Sequence, residues 1–408
     1  MLRTAYYRSA RAKTWNTEHV EETTQKAKVH SLTARLKDDA TPAYTIDWLE
    51  NLDRASGVWR TSSIISDKQE TIDTRTLGHG AGAVELSARD LTRSTMSTSA
   101  LNMVINGVQL YLCVSDLDFS KGCKKPGYIF YVGNPDDAVR KKIREVLSFC
   151  LGNYLVYLGS TTLCQKSEIV TFSAVSPPSI GRIFEIPVLP PAPLGDWCEQ
   201  QVDQQAVSRM ANAIYVHYDE LRFAAFSWAY WHAMCAPVHM AAAHFGAAIE
   251  AVQDAYVKSH PAKFETKLIS DKAKWEALSG AFLTAIANAG LDPSISTILT
   301  NKVTSNLNQT PANVTSDKLL AEIGITLSFV ESAAWKRRHI AAHGGELDVD
   351  SVIPTIRETK LLKIILHRIV LKITGASDSY HDDYSIGHSV QKVTDPVPVP
   401  PPTLGAAS

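Results

Sequence analysis

A chain of 408 residues, 45% hydrophobic and 20% charged, has the apolar content for a sizeable core and more length than one core usually serves, so two domains are expected. Forty-one Lys and Arg against 42 Asp and Glu leave a formal charge of −1. That balance excludes a histone-like binder held to nucleic acid by bulk charge, and equally an acidic disordered chain, but it leaves room for a local basic site.

The chain opens with Arg3, Arg8, Arg11 and Lys13 ahead of the first acid, Glu18. This reads as a solvated basic segment, with a transit peptide as the alternative. Leu77-Gly78-His79-Gly80-Ala81-Gly82-Ala83-Val84 echoes a dinucleotide-binding turn, but its glycine spacing is wrong and no βαβ unit follows through Arg93, so a flexible loop is expected. Short β-branched and aromatic runs at 101–113, 127–132, 154–158, 169–172 and 182–188 are strand signals. One helix interrupts them. Asn134 can cap it, Pro135 suits its first position, Val139, Ile143, Val146, Leu147 and Cys150 form its apolar stripe, and Gly152 can end it. Arg140, Lys141, Lys142 and Arg144 on this helix read as a solvated face.

Pro187, Pro190, Pro191, Pro193 and Gly195 make a plausible stiff linker. Beyond it helices are expected at 198–220, 221–235, 237–259, 270–289, 294–307, 316–343 and 355–374, with Ser316 and Asp317 starting the penultimate one and Gly344-Gly345 ending it. The richest apolar run, Phe223 to Pro237, is too short and too interrupted for a membrane span and reads as a buried helix, with His232, His239 and His244 as core histidines. The final stretch carries four Asp, one Lys and a proline run ending at Pro402. It is expected to be extended, and metal ligation by His381, Asp382 and Asp383 has no support. Six cysteines without a CxxC pair, in a chain with no apolar leader, point to reduced thiols in the cytoplasm. The expected fold class is therefore α+β: a β-rich N-terminal domain over 1–186, a Pro-rich linker over 187–196, a helical bundle over 197–375, and a disordered acidic tail over 376–408.

Chemistry concentrates at the end of the 316–343 helix, in Lys336-Arg337-Arg338-His339-Ile340-Ala341-Ala342-His343-Gly344. Cations and histidines favour helix C-termini through the macrodipole, which explains the run without any function. At 100° per residue Lys336, His339 and His343 share a face, while Arg338 and His343 stand about 140° apart. A zinc protease would need Glu after the first His, and Ile340 stands there. Phosphate chemistry remains: Arg offers a planar fork to phosphate oxygens, and a histidine among cations stays neutral and able to act as a base.

Arg338-His-Ile-Ala-Ala-His343 resembles the Arg-x4–6-His motif of HEPN domains, helical modules that often act as metal-independent ribonucleases. The family usually has a polar residue, commonly Asn, after the Arg; here His339 stands in that place. Glu250, within Ala247-Ala-Ile-Glu250-Ala-Val252, resembles an acidic helix position of such domains. The layout of a β-rich half before a HEPN-like half resembles ApeA-type antiphage defence proteins. The resemblance implies a homodimer through the helical domain, an RNA substrate, no cofactor or metal, no membrane, and a phage or host protein as trigger at the N-terminal domain. Arg338 and His343 would be catalytic with help from His339, Lys336 and Arg337 would bind RNA, and Glu250 would be a supporting acid. The alternative is a catalytically silent dimerisation or binding module.

Overall fold

Alternation of apolar residues at every second position builds the first half. A computed structural model describes residues 5–11, 24–29, 31–37, 40–52, 62–69, 72–78, 82–89, 99–114, 127–175, 189–195, 202–342 and 352–398. β1 (Ala5–Arg11) and β2 (Thr24–Val29) pair with each other. β3 (Ser31–Arg35), β4 (Tyr44–Leu49), β5 (Ser62–Gln69), β6 (Ile72–Leu77), β7 (Val84–Arg89), β8 (Ser99–Ile105), β9 (Val108–Val114), β10 (Gly127–Val132), β11 (Tyr157–Leu163) and β12 (Ile169–Val175) form one ten-stranded sheet in the order β3-β12-β11-β4-β10-β9-β8-β5-β6-β7. Its pairings are antiparallel. The turn-like glycines 78 and 82 lie between β6 and β7, an antiparallel hairpin, which removes any dinucleotide-binding unit there. The expected strand at 182–188 lies outside the described residues.

One face of the sheet carries Ile46, Tyr111, Cys113, Phe130 and Leu163; the alternate residues, Leu110, Leu112, Ile129 and Tyr131, face the larger core. Onto that second face packs α1 (Asp137–Leu151). Its cap is Asp136, whose carboxylate accepts from Val139 N, while Asn134 instead accepts from Thr45 Oγ1 at 2.9 Å. Gly152 ends the helix in the left-handed region at φ 65°, as expected. The basic run on α1 is not a wholly solvated face. Arg140 and Arg144 are buried, and both bind the carboxylate of Asp47 on β4, which is fully buried and also accepts from Tyr131 Oη at 3.3 Å. Burying two guanidinium groups is tolerable because the carboxylate between them is itself desolvated.

The second half is helical: α2 (Gln204–Val216), α3 (Phe223–Cys235), α4 (Val238–Ser259), α5 (Lys272–Asn288), α6 (Pro293–Asn301) with a π-helical turn at Lys302–Asn306, α7 (Ala312–Glu322), α8 (Phe329–Ala342) and α9 (Val352–Thr374). The single helix expected over 316–343 is two. Gly324, at φ 69°, closes α7 with Ile325 N donating to Leu320 O at 2.9 Å. Ser328 and Glu331 then start α8 as a capping box: Ser328 N donates to Glu331 Oε2 at 2.7 Å, and Glu331 N donates to Ser328 Oγ at 3.4 Å.

One apolar cluster runs through both halves. Phe149 of α1 meets Phe223, Phe226, Tyr230 and His367 edge-on at ring distances of 5.9, 5.7, 5.5 and 5.6 Å. Within the described part of the Pro-rich stretch, 189–195, Ala192 and Leu194 are buried in this core. The tail is folded as far as it is described. β13 (Ser379–His381) pairs with β14 (Val390–Lys392), and Tyr380, Val393 and Val397 are buried. Apolar residues spaced among its acids give it something to bury, which overcomes the disordering effect of its charge. Residues beyond 398 lie outside the described part.

Candidate functional site

Lys336, Arg338 and His339, in the last turns of α8, sit at one end of the helical bundle. Glu331, near the start of α8, is ion-paired with Arg368, near the end of α9; both are fully buried, and the two helices pack along each other. The helices therefore run antiparallel. Counting equal steps from that pair, Arg338 lies level with Leu361, about 10 Å along the axis. Arg338 and His339 belong to the last turns of α8, but their side chains, like that of Arg337, lie outside the described residues, as does His343. Lys336 is exposed. Glu250 is exposed on α4, about 140° around that helix from the buried Phe245. The structure thus brings Lys336 and Arg338 to one bundle end, with Glu250 on an outward face of a helix that packs against α8.

Other helix ends converge at the same level. A cavity of about 240 Å³ is lined by Ala233, Met234 and Ala236 at the end of α3, Val238, Ala241 and Phe245 at the start of α4, Ile356, Thr359, Lys360 and Lys363 in the first half of α9, and Asp383 from the tail. The N-termini of α4 and α9 carry the positive ends of their macrodipoles, and Arg357, Lys360 and Lys363 add charge to it. The C-termini of α3 and α8 at the same level oppose those dipoles, and Asp383 offsets Lys363, so the charge free to attract an anion is mainly that of the other basic side chains.

The polar groups around the cavity are tightly held. Lys363 Nζ is ion-paired with Asp383 Oδ2, and Lys360 Nζ donates to the Asp383 carbonyl at 3.0 Å. Behind them His367 Nε2 lies 3.1 Å from Tyr230 Oη. Burial, and then the charges of Lys363 and His381, hold the His367 imidazole well below the usual histidine pKa of 6.5, so it is neutral at pH 7. Burial, and then Asp383, push the Tyr230 phenol up. Asp383 Oδ1, Asp382 Oδ2 and Trp231 Nε1 are buried and meet no hydrogen-bond partner among the described residues.

Lys360, Lys363, His367 and Tyr230 were not singled out from the sequence, and Asp383 was weighed there only as an unsupported metal ligand. A signal existed: Lys360, Lys363 and His367 recur at i, i+3 and i+7 among Leu361, Leu362, Ile364, Ile365 and Leu366. The place of Asp383 beside those lysines had no signal, because only the fold of the tail brings it there. The histidines read as core residues are not deeply buried. His232 is half-buried with its ring 3.8 Å from that of Trp228, which is 61% exposed, and His244 is half-buried 6.1 Å from His232. The His239 side chain lies outside the described residues. Among the described residues no group of three His, Cys, Asp or Glu side chains could hold a metal, and no helix is long and apolar enough to cross a membrane. No protein-family model matches the chain, and neither a curated protein nor a solved structure matches it.

Proposed function

We propose that the protein is a metal-independent endoribonuclease of the HEPN type that acts in the cytoplasm, in antiphage defence. The observation that supports this reading is that Arg338, the first residue of the Arg338-x4-His343 motif, lies in the last turns of a bundle helix, at the level of the lysines in the first half of α9. RNA phosphates are attracted to such a surface even though the whole chain is near neutral.

In this mechanism His343 takes the proton of a ribose 2′-hydroxyl, and the oxygen attacks the adjacent phosphorus. The bond to the 5′ oxygen breaks, and that oxygen takes the proton from the protonated His343, which ends neutral as it began. The products are a 2′,3′-cyclic phosphate and a 5′-hydroxyl. Arg338 stabilises the charge that builds on the non-bridging oxygens, His339 orients or assists, and Lys336 and Arg337 hold the flanking phosphates. General acid–base help of this kind contributes about 10²–10⁴-fold, and charge stabilisation in a water-poor cleft is of similar size or larger. A homodimer facing two such helix ends would supply Arg and His to one cleft from different protomers, with a phage or host protein at the β-rich half as trigger.

The test is digestion of RNA in EDTA by wild type, Arg338→Ala and His343→Ala. Cleavage by wild type that falls at least about 100-fold in both folded variants is expected. Equal activity in all three would remove the site from this chemistry and leave the helical half as a binding or dimerisation module.

A further inference from the structure

The stretch between α4 and α7 folds as an arm whose composition suits a covered surface. Asp271 caps α5 by accepting from Lys274 N at 3.1 Å, and Asp292 caps α6 by accepting from Ser294 N at 2.8 Å, ahead of Pro293. The arm is closed at its base. Leu268 N donates to the Asn308 carbonyl at 2.9 Å, and the Asn308 side chain bonds both Ile269 N and Ile269 O, at 2.8 and 3.0 Å. Within this frame α5 packs against α6 and the π-helical turn, yet neither α5 nor α6 buries a residue. We propose that the arm is the surface through which a second copy of the chain associates with the first, the two α5–α6 pairs covering each other about a two-fold axis.

The apolar positions of the arm have helical spacing. At 100° per residue Trp275, Leu278, Phe282 and Ile286 fall within about 80° of one another on α5, and Ile295 and Ile298 lie about 60° apart on α6. Such stripes ordinarily face a core. Here Leu278, Phe282, Leu291, Ile295, Ile298 and Leu307 are between 39% and 56% exposed. At about 150–200 Å² for a fully exposed residue of this size, they leave roughly 400–550 Å² uncovered. The half-buried Trp275, Leu283 and Ile286 add to that area. One side of a stable interface covers about 800 Å², and between copies of one chain about 65% of it is apolar. The arm therefore carries the apolar area that a stable dimer needs.

Charge decides which partner fits. Between Ala277 and Asn301 the only charged residue is Asp292, in the turn that joins the two helices. A two-fold contact sets a surface against itself, where like charges repel, and these stripes carry none. The whole chain, at −1, adds little repulsion between copies. A different protein is selected largely by complementary charge, and the arm has no charge pattern to match. A lipid surface calls for Lys and Arg on the polar face of an interfacial helix. The face of α5 opposite its stripe instead carries Ala273, Ala277, Gly280, Thr284 and Ala287. The arm follows the C-terminus of α4, a helix of 22 residues and about 33 Å, whereas the N-terminus of α4 lies near the level of Arg338. The contact is therefore separate from the proposed RNA cleft and rests on none of its residues.

Sedimentation velocity of the full chain over a range of micromolar concentrations, without RNA, tests this. Wild type is expected to associate. Phe282→Glu combined with Ile298→Glu is expected to weaken that association at least about 100-fold, because a two-fold contact buries each new charge in both copies. Both positions lie outside the core, so the double variant should keep the wild-type unfolding midpoint. Val216→Glu places the same acid on α2, at an apolar residue 73% exposed, and is expected to leave the association as it is. A wild type that stays monomeric throughout, an association unchanged in the folded double variant, or one lost equally in Val216→Glu would each overturn the proposal. Flotation of wild type with phosphatidylcholine vesicles, without self-association, would overturn it in favour of a lipid surface. The readout is mass, so its outcome is separate from that of the cleavage assay.

Discussion

His367 shows what a single residue contributes at this bundle end. It is 2% exposed, lies 3.1 Å from the Tyr230 hydroxyl and packs edge-on against Phe149. Burial first, and Lys363 and His381 next, depress its pKa well below 6.5. His381 is depressed too, by burial and by His388 against the opposing pull of Asp383. Between the folded and unfolded pKa values the unfolded chain binds more protons, so stability is complete above about pH 7 and is lost as pH falls through and below 6.5. The slope approaches about 1.4 kcal/mol per pH unit for such a group. Urea unfolding from pH 7.5 to 5.5 should show this decline, and His367→Phe should make it shallower. A decline unchanged in the variant would place the pH sensitivity elsewhere. The same scale shows why Asp383 was illegible in the sequence: a carboxylate in an acidic, proline-rich stretch looks solvated until the chain around it is folded.

At the scale of elements, the tail is joined to the bundle at two places, by the Lys363–Asp383 pair and, after Val393, by groups around the buried Glu331–Arg368 pair. Arg368 binds Glu331 and also donates to the carbonyls of Val393, Thr326 and Thr394, at 2.9, 2.9 and 3.2 Å. Glu331 Oε2 accepts from Val397 N at 3.1 Å in addition to capping α8. Removing one partner strands the other charge in a dry interior. Glu331→Leu should therefore cost about 3–5 kcal/mol in denaturant unfolding and expose the segment after Val393 to protease; a loss below about 1 kcal/mol would show that the pair is not what holds the tail. Helix boundaries here were partly legible. Gly152 as a stop and α3, α4 and α9 within a few residues follow from capping and periodicity. The break between α7 and α8 was also written in Gly324 and in the Ser328–Glu331 capping box, but the apolar pattern on both sides hides it. Burial of Arg140 and Arg144 could not be read from α1, because their partner, Asp47, is on a distant strand.

For the whole molecule, the α+β class with a β-rich first half follows from texture alone: period-two apolar runs, then long helical stripes. Composition could not show that a single cluster, with Phe149 meeting α3 and α9 directly and Ala192 and Leu194 among its members, joins the sheet side to the helices. Residues 1–196 and 197–408 expressed separately should each expose this surface and aggregate or bind a hydrophobic dye. A soluble, cooperatively unfolding 197–408 fragment would contradict the shared core. The formal charge of −1 is likewise an average over an uneven distribution, with Lys336-Arg337-Arg338 at the bundle end and four Asp in the tail. Whether that end cleaves RNA is decided most directly by the termini of the products. In EDTA, wild type should leave 2′,3′-cyclic phosphate and 5′-hydroxyl ends that Arg338→Ala does not produce. No cleavage, or products ending in 3′-hydroxyl and 5′-phosphate, would contradict the ribonuclease reading.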